Sequence, residues 1–429
     1  MHEKEGEEDE VKSIDIVHED DTYIVFQNGL RLSKPYAFDF IANVKRRWCE
    51  VENEEENNIV DIFHKEFPNL PREYYAQAFK DGRLRVEDKN ASSVPQSHKK
   101  KRKKEDDEKE YFPALVPGQT VRHLVHKHEP PVLCSENEIE ILEEVDDIVA
   151  VRKPATVPVH PTGQYRNNSV VEILRQRLPE MNDKKNTSPP PPPLLPLHRL
   201  DRNVSGLLLM AKTSKAAKIA TDLIVSNKVR KEYVARVKGL FSKEETTCEV
   251  PLGFCGKTHV ATWGPSDSST PSPLYKSAKT SFTLIKHFSE LDESLVRCVP
   301  ETGRTHQIRA HLKILGHPIA NDVVYGGRLS PGQTKLQDEY QKMCHSFTLN
   351  DDRLRREDAR AAATNDDTFK WDKIKHTTEC PHCPLVCWFG SRATHDFEAI
   401  YLHCIKYSFK ESWTFECLPL PNWAEEGSF

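Results

Sequence analysis

Apolar residues recur at helical spacing early in the chain. Ile59, Ile62, Phe63 and Phe67 predict one helix, and Tyr75, Ala78 and Phe79 begin a second. Asp81-Gly82 breaks that helix, and Leu84-Arg85-Val86 reads as a short strand. From Ile139 to Tyr325 the ordered signals are densest. Asp147 to Val151 predicts a strand ending at Lys153-Pro154, and Ser169 predicts a cap for a helix through Val171, Ile173 and Leu174. Leu207-Leu208-Leu209-Met210 predicts a buried strand. An amphipathic helix carrying Ala217, Ala220, Leu223 and Ile224 follows, then a strand from Tyr233 to Val237. Thr305 is the expected cap of a further helix through Ile308, Leu312 and Leu315, stopped by Gly316 and Pro318. Ile400, Leu402 and Cys404 alternate, and with Phe415 to Leu420 they predict two closing strands.

Between these segments the chain changes character. Residues 1–21 are expected to be a disordered acidic tail. An insert over 89–112 holds a basic cluster, Lys99 to Lys104, followed by Glu105-Asp106-Asp107-Glu108. Such alternating blocks read as a solvated loop, with nuclear targeting as the sharper alternative. The prolines at 189–193 read as an extended spacer rather than a ligand for an SH3-type partner. Residues 350–370 are again charged and loop-like.

Composition narrows the class. The chain of 429 residues is 37% hydrophobic and 30% charged, enough for two or three domains beside polar stretches. No apolar run approaches the roughly 20 residues that span a bilayer. Met1 to Glu10 lacks the regions of a secretory signal. The expectation is a soluble intracellular protein without a membrane partner. Cytoplasm, nucleus and mitochondrion stay open, the 99–104 cluster pointing to the nucleus. Eleven cysteines are too sparse for a disulfide scaffold and are expected to be reduced. A net charge of −5 hides an asymmetry: residues 151–240 carry 17 Lys/Arg against 6 Asp/Glu. That local excess suits a polyanion partner, although a solvated basic face would look the same.

Three segments could carry chemistry: His198-Arg199-Leu200-Asp201-Arg202-Asn203-Val204-Ser205-Gly206, Lys231-Glu232-Tyr233, and Gly303-Arg304-Thr305-His306-Gln307-Ile308-Arg309. Asp201 falls in a loop before a buried strand, flanked by Arg199 and Arg202, whose charges favour an ionised carboxylate. Such a group can attack an electrophilic carbon, but a lone Asp there is more often a salt-bridged turn residue. Tyr233 shares a face with Ala235 and Val237, and by itself reads as packing. Arg304, His306, Gln307 and Arg309 gather at a helix start suited to anionic groups, or form a solvated basic helix end.

Taken together, the three segments resemble the RluA-type pseudouridine synthases, whose His-Arg-Leu-Asp-x-x-Thr-Ser-Gly, Lys-Glu-Tyr and Gly-Arg-Thr-His-Gln-Ile-Arg motifs occur in this order. Lys153-Pro154, Gly316-His317-Pro318-Ile319, Tyr325-Gly326, Leu402-His403 and Leu418-Pro419-Leu420-Pro421 extend the resemblance over roughly 138–327 and 398–429. Residues 22–132 are similar to the eukaryotic branch that modifies tRNA. Val204 stands where Thr is usual, and Asn321 where Gly is usual.

The resemblance implies an α+β fold: a large mixed, mostly antiparallel sheet with flanking helices, plus a small N-terminal α/β module. Expected domains are an S4-like RNA-binding module at 22–132, a catalytic domain at 133–328, an insertion at 329–397 and closing strands at 398–429. In the module Lys80, Arg83 and Arg85 are expected to be exposed; a plain helical domain fits those residues equally. The resemblance also implies roles. Asp201 would be the nucleophile and Tyr233 would stack on the base and assist proton removal, while Arg304 would pair with Asp201. Arg199, Arg202, Lys231, His306 and Arg309 would bind substrate. RNA, with tRNA and its anticodon stem-loop favoured over mRNA or rRNA, is the implied partner of a monomeric enzyme needing no cofactor.

Cys380-Pro381-His382-Cys383, with Cys387 and His376, has the spacing of one zinc knuckle. A second Cys-x-x-Cys is absent, and Cys404 and Cys417 fall in predicted strands, so reduced cysteines and no metal are expected. Two rivals remain. A catalytically silent RNA-binding protein would be expected to lack Asp201, Tyr233 or Arg304, and all three are present. A zinc-linked interaction protein leaves the three motifs unexplained.

Overall fold

The computed structural model describes residues 16–19, 23–26, 30–33, 36–50, 57–67, 71–87, 111–127, 129–134, 139–182, 194–264, 274–335, 338, 399–409 and 413–425. The expectations for the basic cluster at 99–104, the prolines at 189–193, the charged stretch at 350–370, and His376, Cys380, Cys383 and Cys387 lie outside these residues.

Residues 35–127 form one compact unit. Strands Tyr36–Asn43, Thr120–Lys127 and Leu84–Glu87 make a three-stranded antiparallel sheet. Helix Ile59–Glu66 starts at Asn58, whose side-chain oxygen accepts the N–H groups of Val60 and Asp61 at 3.1 Å. With helix Arg72–Lys80, it buries Phe63 and Tyr75 edge to face, 6.0 Å between ring centres. The expected order of helix, helix and strand is therefore present. Arg83, expected to be exposed, is buried: it bonds Asp81 at 3.0 Å and lies over the Tyr74 ring. Its guanidinium closes a turn instead of facing solvent.

The second unit draws on 1–34, 128–364 and 384–429. Ile16–Glu19, expected within a disordered tail, is a strand paired with Tyr23–Phe26. Leu30–Ser33 pairs in turn with Val132–Leu133. Chain on both sides of the smaller unit thus joins one sheet, which is why sequence order alone placed residues from 22 onward in the N-terminal module.

Ten strands form the large sheet, labelled here in chain order. They are β1 (Glu140–Val145), β2 (Ile148–Lys153), β3 (Leu195–Pro196), β4 (Ser205–Ala211) and β5 (Arg230–Lys238). The remainder are β6 (Thr246–Cys248), β7 (Thr280–Phe288), β8 (Glu293–Pro300), β9 (Leu402–Phe409) and β10 (Trp413–Glu416). The order is β6-β7-β8-β5-β9-β4-β2-β1, with β3 on β4 and β10 on β9. Among these strands β4 and β9 run parallel and the other pairs antiparallel, the expected mixed sheet. Leu207 to Ala211 are fully buried, which explains an apolar run without alternation.

Helices α1 (Val170–Asn182), α2 (Ser214–Val225) and α3 (Gln307–Ile314) flank it. Thr213 caps α2 by accepting the Ala216 N–H. Before α1, the Ser169 carbonyl takes the first helical bond, while its hydroxyl donates to the Arg166 carbonyl at 2.6 Å. The expected hydroxyl cap is therefore replaced by a bond backwards into the turn.

The closing strand β9 lies in the middle of the sheet, between β4 and β5. Asn321 secures its approach: its Nδ2 donates to the Ala399 carbonyl at 2.7 Å, and its Oδ1 accepts the Tyr401 N–H at 2.8 Å. A glycine there could make neither bond. Gly206 lets β4 and β9 meet: its φ is +114°, and any side-chain carbon at this position would collide with the backbone of Cys404. Gly206→Ala should therefore cost at least about 2 kcal/mol, read as a lowered urea midpoint; an unchanged midpoint would show that this approach tolerates a side chain.

Candidate active site

The loop between β3 and β4 carries Asp201, and a buried lysine shapes it. Lys153, at the end of β2, has no exposed surface, and its Nζ donates to the carbonyls of Pro154, Arg202 and Val204 at 2.8, 3.0 and 2.7 Å. The Val204 N–H closes a turn on the Asp201 carbonyl at 3.1 Å. The Val204 side chain is 2% exposed within the core, so it anchors the turn by packing where a hydroxyl is usual in the resembled family. Ser205 Oγ meets His403 Nδ1 at 2.8 Å, tying the same loop to β9.

All eight sequence-predicted site residues line one cavity of about 490 Å³: Asp201, Tyr233, Arg304, Arg199, Arg202, Lys231, His306 and Arg309. Arg199 and Arg304 are exposed at it, and Arg202 lies over the Tyr165 ring with a 3.1 Å bond to its hydroxyl. Lys231 is 7% exposed, and its side chain has no hydrogen bond or ion pair among the described residues. Burial draws its ammonium below the usual lysine range; the Cys404 thiol opposes this and the Arg304 charge adds to it. A buried cation facing a cavity without a partner suits an anionic ligand.

The partner of Asp201 differs from the expectation. Arg304 donates through Nε to the Ser277 carbonyl at 3.0 Å, whereas Arg309 reaches Asp201 Oδ2 at 3.3 Å. The local backbone explains the exchange. Gln307 Oε1 accepts the Arg304 N–H at 3.0 Å and the Thr302 hydroxyl at 2.8 Å, holding the loop ahead of α3. His306, not Thr305, is the cap, in left-handed backbone at φ 56°. From that turn His306 and Arg309, three residues apart on one helical face, both meet Asp201.

Arg309 is shared. It makes a two-point contact with buried Asp322, at 2.6 and 3.0 Å, and spends one further N–H on Asp201. Burial works against its charge, but the hydrogen bonds and charge of Asp322, with Asp201, push its pKa up. His306 Nδ1 lies 2.9 Å from the Tyr325 hydroxyl, which accepts the Ala261 N–H at 2.8 Å. His306 Nε2, on the other side of the ring, lies 3.5 Å from Asp201 Oδ2. Burial keeps this imidazole below its usual pKa despite the Asp201 charge.

Tyr233 is 8% exposed at the cavity, its hydroxyl 3.3 Å from that of Tyr407. Burial holds its phenol well above the ordinary range, with Cys404 and Tyr407 adding to the effect. Sequence reasoning missed Tyr407, Asp322 and the side chain of His198. A one-residue bulge in β9 hides Tyr407. Tyr233 faces Cys404 and Lys231 faces Tyr407, so residues an odd step apart share a face. Asp322 carries no sequence signal; only its place beside Arg309 marks it. Among the described residues no group of three or more His, Cys, Asp or Glu side chains could hold a metal, and no helix is long and apolar enough to cross a membrane.

A family model described as RNA pseudouridylate synthase matches residues 147–313, from the start of β2 to the last turn of α3. RNA pseudouridine synthase 7 of Oryza sativa subsp. japonica is 38% identical over 407 residues, covering 93% of this chain and 91% of that protein. The tRNA pseudouridine(31) synthase of Saccharomyces cerevisiae is 32% identical over 430 residues, covering 93% and 96%. The mitochondrial tRNA pseudouridine(32) synthase of the same yeast is 35% identical over 304 residues, covering 70% and 56%. The chain belongs to the RluA-type RNA pseudouridine synthase family and is an isomerase.

Arg309→Lys should destabilise the protein by about 2 kcal/mol or more, because one ammonium cannot satisfy both oxygens of buried Asp322. Arg304→Ala should stay within about 0.5 kcal/mol. Urea unfolding of both variants compares them, and equal losses would contradict this division of labour.

Proposed function

We propose that this enzyme isomerises uridine to pseudouridine in tRNA, within the anticodon stem-loop, with Asp201 as nucleophile. The observation that carries the reading is a carboxylate set in a cavity among cations, oriented by Arg309 and His306 but only singly bonded to the arginine. Its remaining lone pairs are free to attack. Two relatives named as tRNA enzymes support the substrate class.

A uridine in a stem or stacked loop must leave the stack to reach the cavity. Asp201 then attacks the ribose anomeric carbon and the bond to uracil nitrogen 1 breaks, leaving that nitrogen with the electron pair, as at a retaining glycosidase nucleophile. The base turns, carbon 5 bonds to the anomeric carbon, and the carboxylate leaves. Carbon 5 loses a proton and nitrogen 1 gains one, so no atom is added or lost. Tyr233 lies against the base and assists the proton rearrangement. Arg199, Arg202, Lys231 and Arg304 would hold phosphates, positioning the strand without reading its sequence. Arg309, with His306, takes the place at Asp201 that the family resemblance assigned to Arg304.

Asp201→Asn should lower turnover by at least about 10³-fold and leave RNA affinity within a few-fold. Residual turnover near wild type would remove Asp201 from the chemistry. Mapping pseudouridine in tRNA, mRNA and rRNA from cells with and without the protein tests the substrate; loss of sites confined to mRNA or rRNA would refute the tRNA assignment.

A further inference from the structure

Tyr165, which the reaction scheme leaves unused, lies under one of the arginines at the cavity. The Arg202 guanidinium carbon is 5.4 Å from the centre of its ring, and Nη1 donates to its hydroxyl at 3.1 Å. The ring face attracts the cation, and the hydrogen bond fixes how the guanidinium sits on that face. Tyr165 is only 9% exposed. Its backbone pairs with Thr162 in both directions, at 2.9 and 3.0 Å, so the ring moves with its loop. The same loop brings His160 and Thr162 to the cavity.

Glu129 holds that loop from behind. Its side chain is buried, at 1% exposure, and its carboxylate accepts three successive backbone N–H groups just past Tyr165. Arg166 and Asn168 donate to Oε2 at 2.8 and 2.9 Å, and Asn167 donates to Oε1 at 2.8 Å. A carboxylate suits this nest because both of its oxygens accept, whereas an amide would set an NH2 group against one of the N–H groups. Asn168, with no exposed surface, extends the clasp. Its Nδ2 donates to the Pro130 carbonyl at 3.0 Å, and its Oδ1 accepts from Arg31 Nε at 3.2 Å. At the other end of the loop, the Leu133 N–H donates to the Thr156 hydroxyl at 2.8 Å. Residues 129–133 therefore bind both ends of the cavity wall at 156–168.

We propose that Glu129 and Tyr165 are positioning residues for the guanidinium of Arg202. Glu129 fixes the turn, the turn presents the Tyr165 ring, and the ring holds the guanidinium at the cavity in one orientation before RNA arrives. A free arginine side chain would lose rotamer freedom on taking a phosphate, and a preset one has already lost it. This rests on the reading of Arg202 as a phosphate contact and deepens it; it does not depend on which group attacks the ribose.

Glu129→Gln separates geometry from charge by its sign. Removing a negative charge would by itself strengthen binding to a polyanion, whereas loosening Arg202 weakens it. Fluorescence anisotropy with an unmodified tRNA transcript reads the affinity of variants whose circular dichroism matches wild type. Glu129→Gln and Tyr165→Leu should each bind about fivefold more weakly. Neither should lose anything further in an Arg202→Ala background, a dependence that general damage to the fold would not show. Either variant suffices if the other fails to fold. Unchanged or tighter binding, or equal losses with and without Arg202, would overturn this proposal alone. Arg202→Ala itself should make the slope of log affinity against log salt shallower by about 1. Wild-type affinity and slope in that variant would remove Arg202 from phosphate binding and this proposal with it, leaving the isomerisation reading to its own test at Asp201.

Discussion

The Lys153 ammonium is the contact on which the active-site loop depends. It sits at the end of β2 with no exposed surface and gathers three backbone carbonyls, two of them from the turn after Asp201. A buried charge is costly unless it is fully bonded, so those carbonyls have little freedom to point elsewhere. A loop that would otherwise wander over the sheet edge is thereby fixed to it. Ser205 and Gly206 continue the restraint by docking onto His403 and Cys404 of β9. Asp201 is held by its own backbone before any side chain acts on it.

The electrostatics of the cavity are built outward from that anchor. Arg309 is oriented mainly by Asp322, which leaves Asp201 a single, longer bond to it. His306 stands 3.5 Å from Asp201 on a left-handed cap, with its other ring nitrogen bonded to Tyr325. Both contacts to Asp201 fall on one oxygen, Oδ2, and Lys231 lines the same cavity. Such fixed dipoles and charges act without reorganising during the reaction.

The position of β9 gives the C-terminal residues a part in both the sheet and the site. It returns after residues 339–398 to run between β4 and β5, bringing Tyr407 into the cavity and His403 against the Asp201 loop. Asn321, a departure from the resembled family, pins that return through the backbone at Ala399 and Tyr401. Ala399 and Tyr401, just before β9, are therefore tied to the same helix-to-loop segment that presents Asp322 and Tyr325.

Motif order in the sequence picked out side chains that line one cavity. Asp201, Tyr233, Lys231 and Arg309 were legible because a family resemblance covers them, and the buried run at 207–210 and the helix at 307–314 because apolar spacing is a local property. Distance was not legible. Which of Arg304 and Arg309 meets Asp201 depends on a left-handed residue at 306 and on Gln307 bonding back to the loop, neither of which has a periodic signature. Asp322 and Tyr407 are far in sequence from Asp201 and Tyr233, and a bulge changes the facing of Tyr407 against simple alternation. The sequence by itself determined which side chains are available and the α+β class. Only the tertiary structure decided which pairs form, because hydrogen bonds and ion pairs depend on ångström separations that long-range packing sets.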